Sequence, residues 1–325
     1  MAELNFNKGQ RLAIVENSKI KGENGTEIFL YHPDHKCCLD CSDKCKKSKK
    51  CCGECAIQTY HNKIQSGKDD ISIDKIKKLM MIFGNKSIEF TEEELDSVLD
   101  AELSDGLHGP NIGKNKIVLN SGNFQIAPSN IYGKPDRIYF SGMAGSGKTF
   151  ALAQYVQQFK KYYPKYRIYL ISQKPNDKLL DKLIHKRIPL DQLIEANFEA
   201  EDFAESLFIA DDIDTISDKK IEKATFDLIT KVLEIGRSLN TFMCLTMHLA
   251  ANHNQTKRIL NGCTHYVYFN QGSTRGTEYA LQNYFGFAKD EINKLRKLNS
   301  RSVCIVRSVP QLVIANNLIC FQNTL

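Results

Sequence analysis

The chain has 325 residues, of which 42% are apolar and 25% charged, with a formal net charge of +6. That length predicts two domains at roughly 100–200 residues each, and the composition is ordinary for a soluble protein with at least one sizeable core. The mild positive charge permits a polyanionic partner without demanding one. Apolar runs such as "LMMIF" at 79–83 are too short to cross a bilayer, and the opening "MAELNFNKGQRL" lacks the apolar centre of a signal peptide. A soluble, intracellular and cytoplasmic protein is expected.

Three regions follow in chain order. Residues 1–67 hold two short β-like runs, "RLAIVEN" and "TEIFLYH", and then "HPDHKCCLDCSDKCKKSKKCCGEC". Seven of the eleven cysteines lie between Cys37 and Cys55. Clustering this tight favours metal over disulfides in a reducing compartment. Cys38-x-x-Cys41 and Cys52-x-x-Cys55, ten residues apart, offer four thiolates to a tetrahedral Zn²⁺. Both pairs are doubled by Cys37 and Cys51, and Cys45, His32, His35 and His61 are further candidates. The register and the number of ions therefore stay open. An iron–sulfur cluster and a loop of free thiols are the alternatives. The lysines at 44, 46, 47, 49 and 50 either contact phosphates or form a solvated basic loop.

Residues 68–115 read as a helical segment and linker. "IDKIKKLMMIF" has helical apolar spacing and stops at Gly84, and Thr91 with Glu94 forms a capping box. "SDGLHGPNIGKNK" reads as the linker.

From 116 to 325 strands alternate with helices, which predicts an α/β domain with a mainly parallel sheet flanked by helices. "RIYF" (137–140), "YRIYLIS" (166–172), "LFIADD" (207–212), "TFMCLTMH" (241–248) and "THYVYF" (264–269) are the strands. "KTFALAQYVQQFKKYY" and "KKIEKATFDLITKVLEIGRS" are helices, and "SVCIVRSV" with "LVIANNLICF" predicts a closing hairpin.

The chemistry sits on these elements. "GMAGSGKT" has the spacing of a phosphate-binding P-loop, preceded by a strand and followed by a helix. Gly142, Gly145 and Gly147 let the backbone turn tightly, so that its N–H groups, with those around Ser146, point at phosphate oxygens. Lys148 would reach the β- and γ-phosphates, and the Thr149 hydroxyl would ligate Mg²⁺. "SLFIADDID" carries two acids on a buried strand: Asp211 to hold Mg²⁺ and Asp212 to polarise the attacking water. The 63 residues from Lys148 to Asp211 fit a helix, a strand and one more crossover. His248, at a strand end, could contact the γ-phosphate or its water. Arg237, Arg258 and Arg275 are candidate arginine fingers, each with the plain alternative of a solvated surface residue.

The order "GMAGSGKT", "LFIADDID", "GRSLNTFMCLTMH", "ILNGCTHYVYF", "STRGTEYAL" resembles the FtsK–HerA superfamily of P-loop motors, and most closely the poxvirus-type DNA-packaging ATPases of large DNA viruses. The resemblance covers roughly residues 130–325. It implies ATP hydrolysis coupled to translocation of double-stranded DNA by a ring, hexameric in that family, with capsid or portal components as partners. It implies a place in the host cytoplasm, a viral factory or the virion. It also makes Arg237 and Arg275 better finger candidates than Arg258. Two departures from the family pattern are Asp212, where Glu is usual, and His248, where Gln is frequent. The competing readings are a P-loop kinase or other nucleotide-dependent transferase with a zinc-binding module, and a non-catalytic zinc-bearing scaffold. No Arg-rich lid follows the sheet to support the former, and intact Lys148, Thr149 and Asp211 argue against the latter.

Overall fold

The computed structural model describes residues 2–6, 9–31, 111–113, 115–129, 134–251, 253–270 and 275–325. The expected zinc ligands Cys38, Cys41, Cys52 and Cys55, and the helices expected between 68 and 110, lie outside these residues. Among the described residues no helix is long and apolar enough to cross a membrane, and no cluster of metal-ligating side chains occurs.

The described residues form two sheets. The larger contains β4 (Asn111–Gly113), β5 (Lys116–Val118), β7 (Arg137–Ser141), β8 (Arg167–Ser172), β9 (Lys186–Arg187), β10 (Ser206–Asp211), β11 (Phe242–Met247), β12 (His265–Phe269), β13 (Ser302–Val306), β14 (Leu312–Ile314) and β15 (Leu318–Phe321). Their order is β4-β5-β15-β14-β13-β12-β7-β11-β10-β8-β9. From β12 to β9 every pairing is parallel, and from β13 to β4 every pairing is antiparallel. The expected closing hairpin is instead a three-stranded meander. Ala315–Asn317 turns "LVIANNLICF" back on itself, with the Ala315 N–H donating to Leu318 O at 2.7 Å.

The parallel strands are buried on both faces, which explains their near-continuous apolar sequences. Alternation divides them: Ile138, Phe140, Leu207 and Ile209 enter one core, while Tyr139, Phe208 and Ala210 enter the other. The second core is covered by α3 (Lys219–Ile235), α4 (His253–Gly262), α5 (Arg275–Phe285) and α6 (Lys289–Lys297). Asp218 caps α3, accepting from the N–H groups of Lys220 and Ile221. The short α2 (Gln192–Glu195) adds Leu193 to the same core.

The first core is covered by α1 (Lys148–Tyr162) and by the smaller sheet. In α1, Leu152, Tyr155, Val156 and Phe159 recur at helical spacing and face inward, and Pro164 follows its end. Burying each such side chain contributes about 1.5–3 kcal/mol. The smaller sheet joins β1 (Glu3–Asn5), β2 (Gln10–Glu16), β3 (Glu27–Tyr31) and β6 (Asn123–Ile126), all antiparallel, in the order β1-β3-β2-β6. Residues 2–31 therefore pack in one unit with the P-loop region, whereas the sequence grouped them with the cysteine cluster. Their docking onto α1 is polar at the rim: Tyr162 Oη donates to Glu27 at 2.5 Å and Gln158 Nε2 donates to Glu16 at 2.9 Å.

Candidate active site at the carboxyl ends of the parallel strands

β7 ends at Ser141, and Gly142–Gly147 turn the chain into α1. Gly147 has φ +109° and caps the helix, a conformation open to glycine at little cost. A Cβ at Gly142 would lie 2.8 Å from Ser146 Oγ and 2.9 Å from the Phe269 ring, so this position also needs glycine. The loop leads into the positive end of α1, which favours an anion; within the loop the Gly142 N–H donates to Met247 O at 3.2 Å and the Ser146 N–H to Met143 O at 3.1 Å. Lys148 is buried at the start of the helix. Its Nζ donates to the carbonyls of Gly142 (2.8 Å) and Met143 (3.3 Å) and stands 3.7 Å from Asp212 Oδ1. Burial pushes the ammonium pKa down, against the opposing pull of Asp212, Asp214 and Asp211. Thr149, next in the helix, is half-buried.

β10 lies two strands from β7 and delivers both acids to this end of the sheet. Asp211 is its last residue; Asp212 follows in a left-handed conformation, φ +51°. Thr246 on β11 joins them: its Oγ1 donates to Asp211 Oδ1 at 2.7 Å and accepts from the Asp212 N–H at 2.8 Å. Asp211 Oδ2 is buried and has no hydrogen-bond partner among the described residues. Desolvation pushes its pKa up, more than the Thr246 hydrogen bond draws it down. A buried carboxylate oxygen left open beside the loop, with the Thr149 hydroxyl opening α1, fits a hard divalent cation such as Mg²⁺. For Asp212, burial also acts to raise the pKa, but the hydrogen bond from Lys174 and the charges of Lys148, Lys174 and His248 outweigh it and hold the carboxyl below its ordinary value.

Lys174, just beyond β8, donates to Asp212 Oδ2 at 2.6 Å. The His248 N–H donates to Asp214 Oδ2 at 2.7 Å, and the ring Nδ1 lies 3.2 Å from Asp214 Oδ1. The other ring nitrogen, Nε2, lies 3.9 Å from Asp212 Oδ1. On the opposite flank Arg301, preceding β13, donates from Nε to Ser146 O at 2.9 Å and from Nη2 to Gly145 O at 3.5 Å.

Of the residues singled out from sequence, Gly142–Thr149, Asp211, Asp212 and His248 share this end of the sheet. Arg275 opens α5 beyond the carboxyl end of β12, the same end, and is exposed. Arg237 lies elsewhere. It is exposed in the turn between α3 and β11, where its charge reaches Arg137, the first residue of β7. Five residues of strand at ~3.3 Å each put about 16 Å between that end and the loop. Arg258 is exposed on α4. Sequence reasoning missed Lys174, Thr246, Asp214 and Arg301. Asp214 could have been found from "ADDID", three acids in four residues; the others carry no local signal.

A strand, glycine loop and helix, with one acid ending and one following a strand two places away in the parallel part of the sheet, make an α/β fold of the P-loop ATPase-like kind. No known family model matches the sequence. It is 31% identical over 207 residues, 63% of this chain and 84% of the relative, to the uncharacterized protein V3 of Sputnik virophage, and the chain belongs to that protein's family. Among solved structures it is similar to B204, the DNA-packaging ATPase of Sulfolobus turreted icosahedral virus (14% identity, 56% of this chain and 98% of that one, TM-score 0.40). It is also similar to the cytoplasmic domain of the type VII secretion ATPase EccC of Thermomonospora curvata (12%, 56% and 25%, TM-score 0.39). Likeness at this level is one of outline.

Proposed function

We propose that the protein is an ATP-hydrolysing motor of the FtsK–HerA type that moves double-stranded DNA, and that its task is packaging of a viral genome. One observation carries the enzymatic part: Lys148 Nζ stands 3.7 Å from Asp212 Oδ1, Thr246 ties Asp212 to Asp211, and among the described residues Asp211 Oδ2 has no hydrogen-bond partner. In this reading the loop N–H groups and Lys148 hold the β- and γ-phosphates. Asp211 and Thr149 would hold Mg²⁺, which when bound would supply positive charge against the phosphate oxygens. Asp212, kept ionised by its cationic neighbours, orients the water that attacks the γ-phosphorus, and the bond to the β–γ bridging oxygen breaks. Asp214 fixes His248, whose Nε2 faces the same water space. Lys174 shares Asp212 and keeps it in place.

The motor part rests on the motif order from "GMAGSGKT" to "STRGTEYAL", and the viral setting on the virophage relative. A homo-oligomeric ring, hexameric by resemblance, would place Arg237 of one subunit toward the nucleotide of the next, with Arg275 as the other finger candidate. Cys38, Cys41, Cys52 and Cys55 would hold Zn²⁺ in a small module carried between the two chain segments of the P-loop unit. The test is ATP turnover with and without double-stranded DNA. Stimulation by DNA is expected; phosphate transfer to a small acceptor with no effect of DNA would favour a kinase instead.

A further inference from the structure

The site has a direction. Asp211, Asp212, Lys174 and His248 all lie on the β11–β10–β8 side of the loop, so the metal and the terminal phosphate belong there. A polyphosphate running across the start of α1 must then send its other end toward β12 and β13. On that side lies a cavity of about 250 Å³ that reaches the loop at Gly147. This is below the roughly 300–1,000 Å³ of pockets for drug-sized ligands, and is on the scale of part of a nucleotide rather than the whole.

Its walls come from three places. From α1, Phe150 and Gln154 stand four residues apart on one face. Phe150 is 55% exposed, an unusual state for a phenylalanine one residue beyond the metal-binding threonine position. Gln154 is half-buried and makes no side-chain hydrogen bond among the described residues. From the smaller sheet come Phe124 and Gln125 of β6. From the antiparallel meander come Arg301 and Asn316. The walls are tied together, since the Phe124 N–H donates to Asn316 O at 2.7 Å. Among the described residues no carboxylate lines the space. Aromatic faces, amides that both donate and accept, and one guanidinium suit a flat, neutral, hydrogen-bonding heterocycle beside an anion.

We propose that this cavity binds the nucleoside end of the nucleotide, with Phe150 as the stacking platform and Gln154 reading the edge of the base. The inference rests on the P-loop reading above. It gives the N-terminal sheet a role in the site, because β6 forms the wall facing α1. Arg301, which reaches from the loop carbonyls into the cavity mouth, would sit beside the ribose and first phosphate.

The test separates the base from the phosphates. Binding of Mg²⁺–ATP and of Mg²⁺–tripolyphosphate is measured by calorimetry on the full chain, for the parent, Phe150→Ala, Gln154→Ala and Lys148→Ala. Stacking on an aromatic side chain is worth roughly ten- to a hundredfold in affinity, so the parent should prefer ATP by about that factor. Phe150→Ala should lose most of the preference and Gln154→Ala part of it, both keeping the parent's tripolyphosphate affinity. Lys148→Ala should weaken both ligands together. Both side chains are solvent-accessible, and thermal melting checks that the variants fold. An unchanged ratio of ATP to tripolyphosphate affinity in Phe150→Ala and Gln154→Ala would overturn the assignment while leaving the P-loop reading intact. Failure of the parent to bind either ligand would overturn both.

Discussion

Replacing Thr246 by valine keeps the volume of the side chain and removes the hydroxyl that links the two acids. Asp211 Oδ1 loses its donor at 2.7 Å, and the Asp212 N–H loses its acceptor at 2.8 Å. Both groups are buried. A hydrogen bond to a charged group contributes about 1.5–3 kcal/mol, and an orphaned buried donor costs about 1–3 kcal/mol. At 1.4 kcal/mol per tenfold, the first term should weaken Mg²⁺ half-saturation by roughly ten- to a hundredfold, because the carboxylate proposed to hold the metal is no longer oriented or stabilised as an anion. The second lowers the melting temperature by a few degrees. The pH dependence has a defined sign. Burial already holds the Asp211 pKa above its ordinary value, and the Thr246 hydrogen bond opposes that rise. Without the hydroxyl the folded-state pKa rises further, so at a given acidic pH less of Asp211 is ionised. The acid limb of Mg²⁺-dependent ATP turnover moves to higher pH. The assay is turnover against Mg²⁺ at several pH values, with Thr246→Ser as the variant that restores the hydroxyl. Superimposable Mg²⁺ curves and acid limbs for parent and Thr246→Val would refute the assignment of Asp211 to the metal.

Lys148→Ala should reduce hydrolysis to background, since the phosphate charge loses its counter-ion, and Asp211→Ala should abolish the Mg²⁺ dependence; near-parental steady-state kinetics in either would remove that residue's role. Protein purified without chelator should carry zinc, and removing it should unfold the cysteine-rich segment while leaving the P-loop unit folded; elemental analysis finding neither zinc nor iron would end the metal proposal. Arg237→Ala should bind ATP as the parent does yet hydrolyse it about 10³–10⁵-fold more slowly, and mixing with Lys148→Ala should restore part of the turnover. Absence of rescue in confirmed mixed oligomers would rule out action across an interface and leave Arg275 as the finger to test.

The parts of the site carried by a continuous segment were legible in the sequence. "GMAGSGKT" needs glycine for steric reasons seen directly at Gly142 and Gly147, and "LFIADD" is apolar because β10 is covered on both faces. Residues that matter only through another strand were not legible. Lys174 lies 38 positions from the acid it pairs with, and Thr246 lies 35 and 34 from the acids it joins. Arg301 is 155 residues from the loop carbonyl it contacts. The pairing of residues 2–31 with β6 is long-range in the same sense, since Glu16 and Asn123 are register partners across the whole cysteine-rich segment. The final meander was read as one strand pair because "LVIANNLICF" is apolar at both ends; the two asparagines in its middle were the turn signal.

The central claim is that ATP hydrolysis at this site moves double-stranded DNA. Displacement of a third strand from a DNA triplex tests it directly, because only a protein tracking along the duplex removes that strand. The parent protein should displace it in the presence of ATP and Mg²⁺, and neither Lys148→Ala nor the parent with a non-hydrolysable analogue should do so. An oligomeric parent that hydrolyses ATP yet leaves the triplex intact at all DNA lengths would contradict the claim.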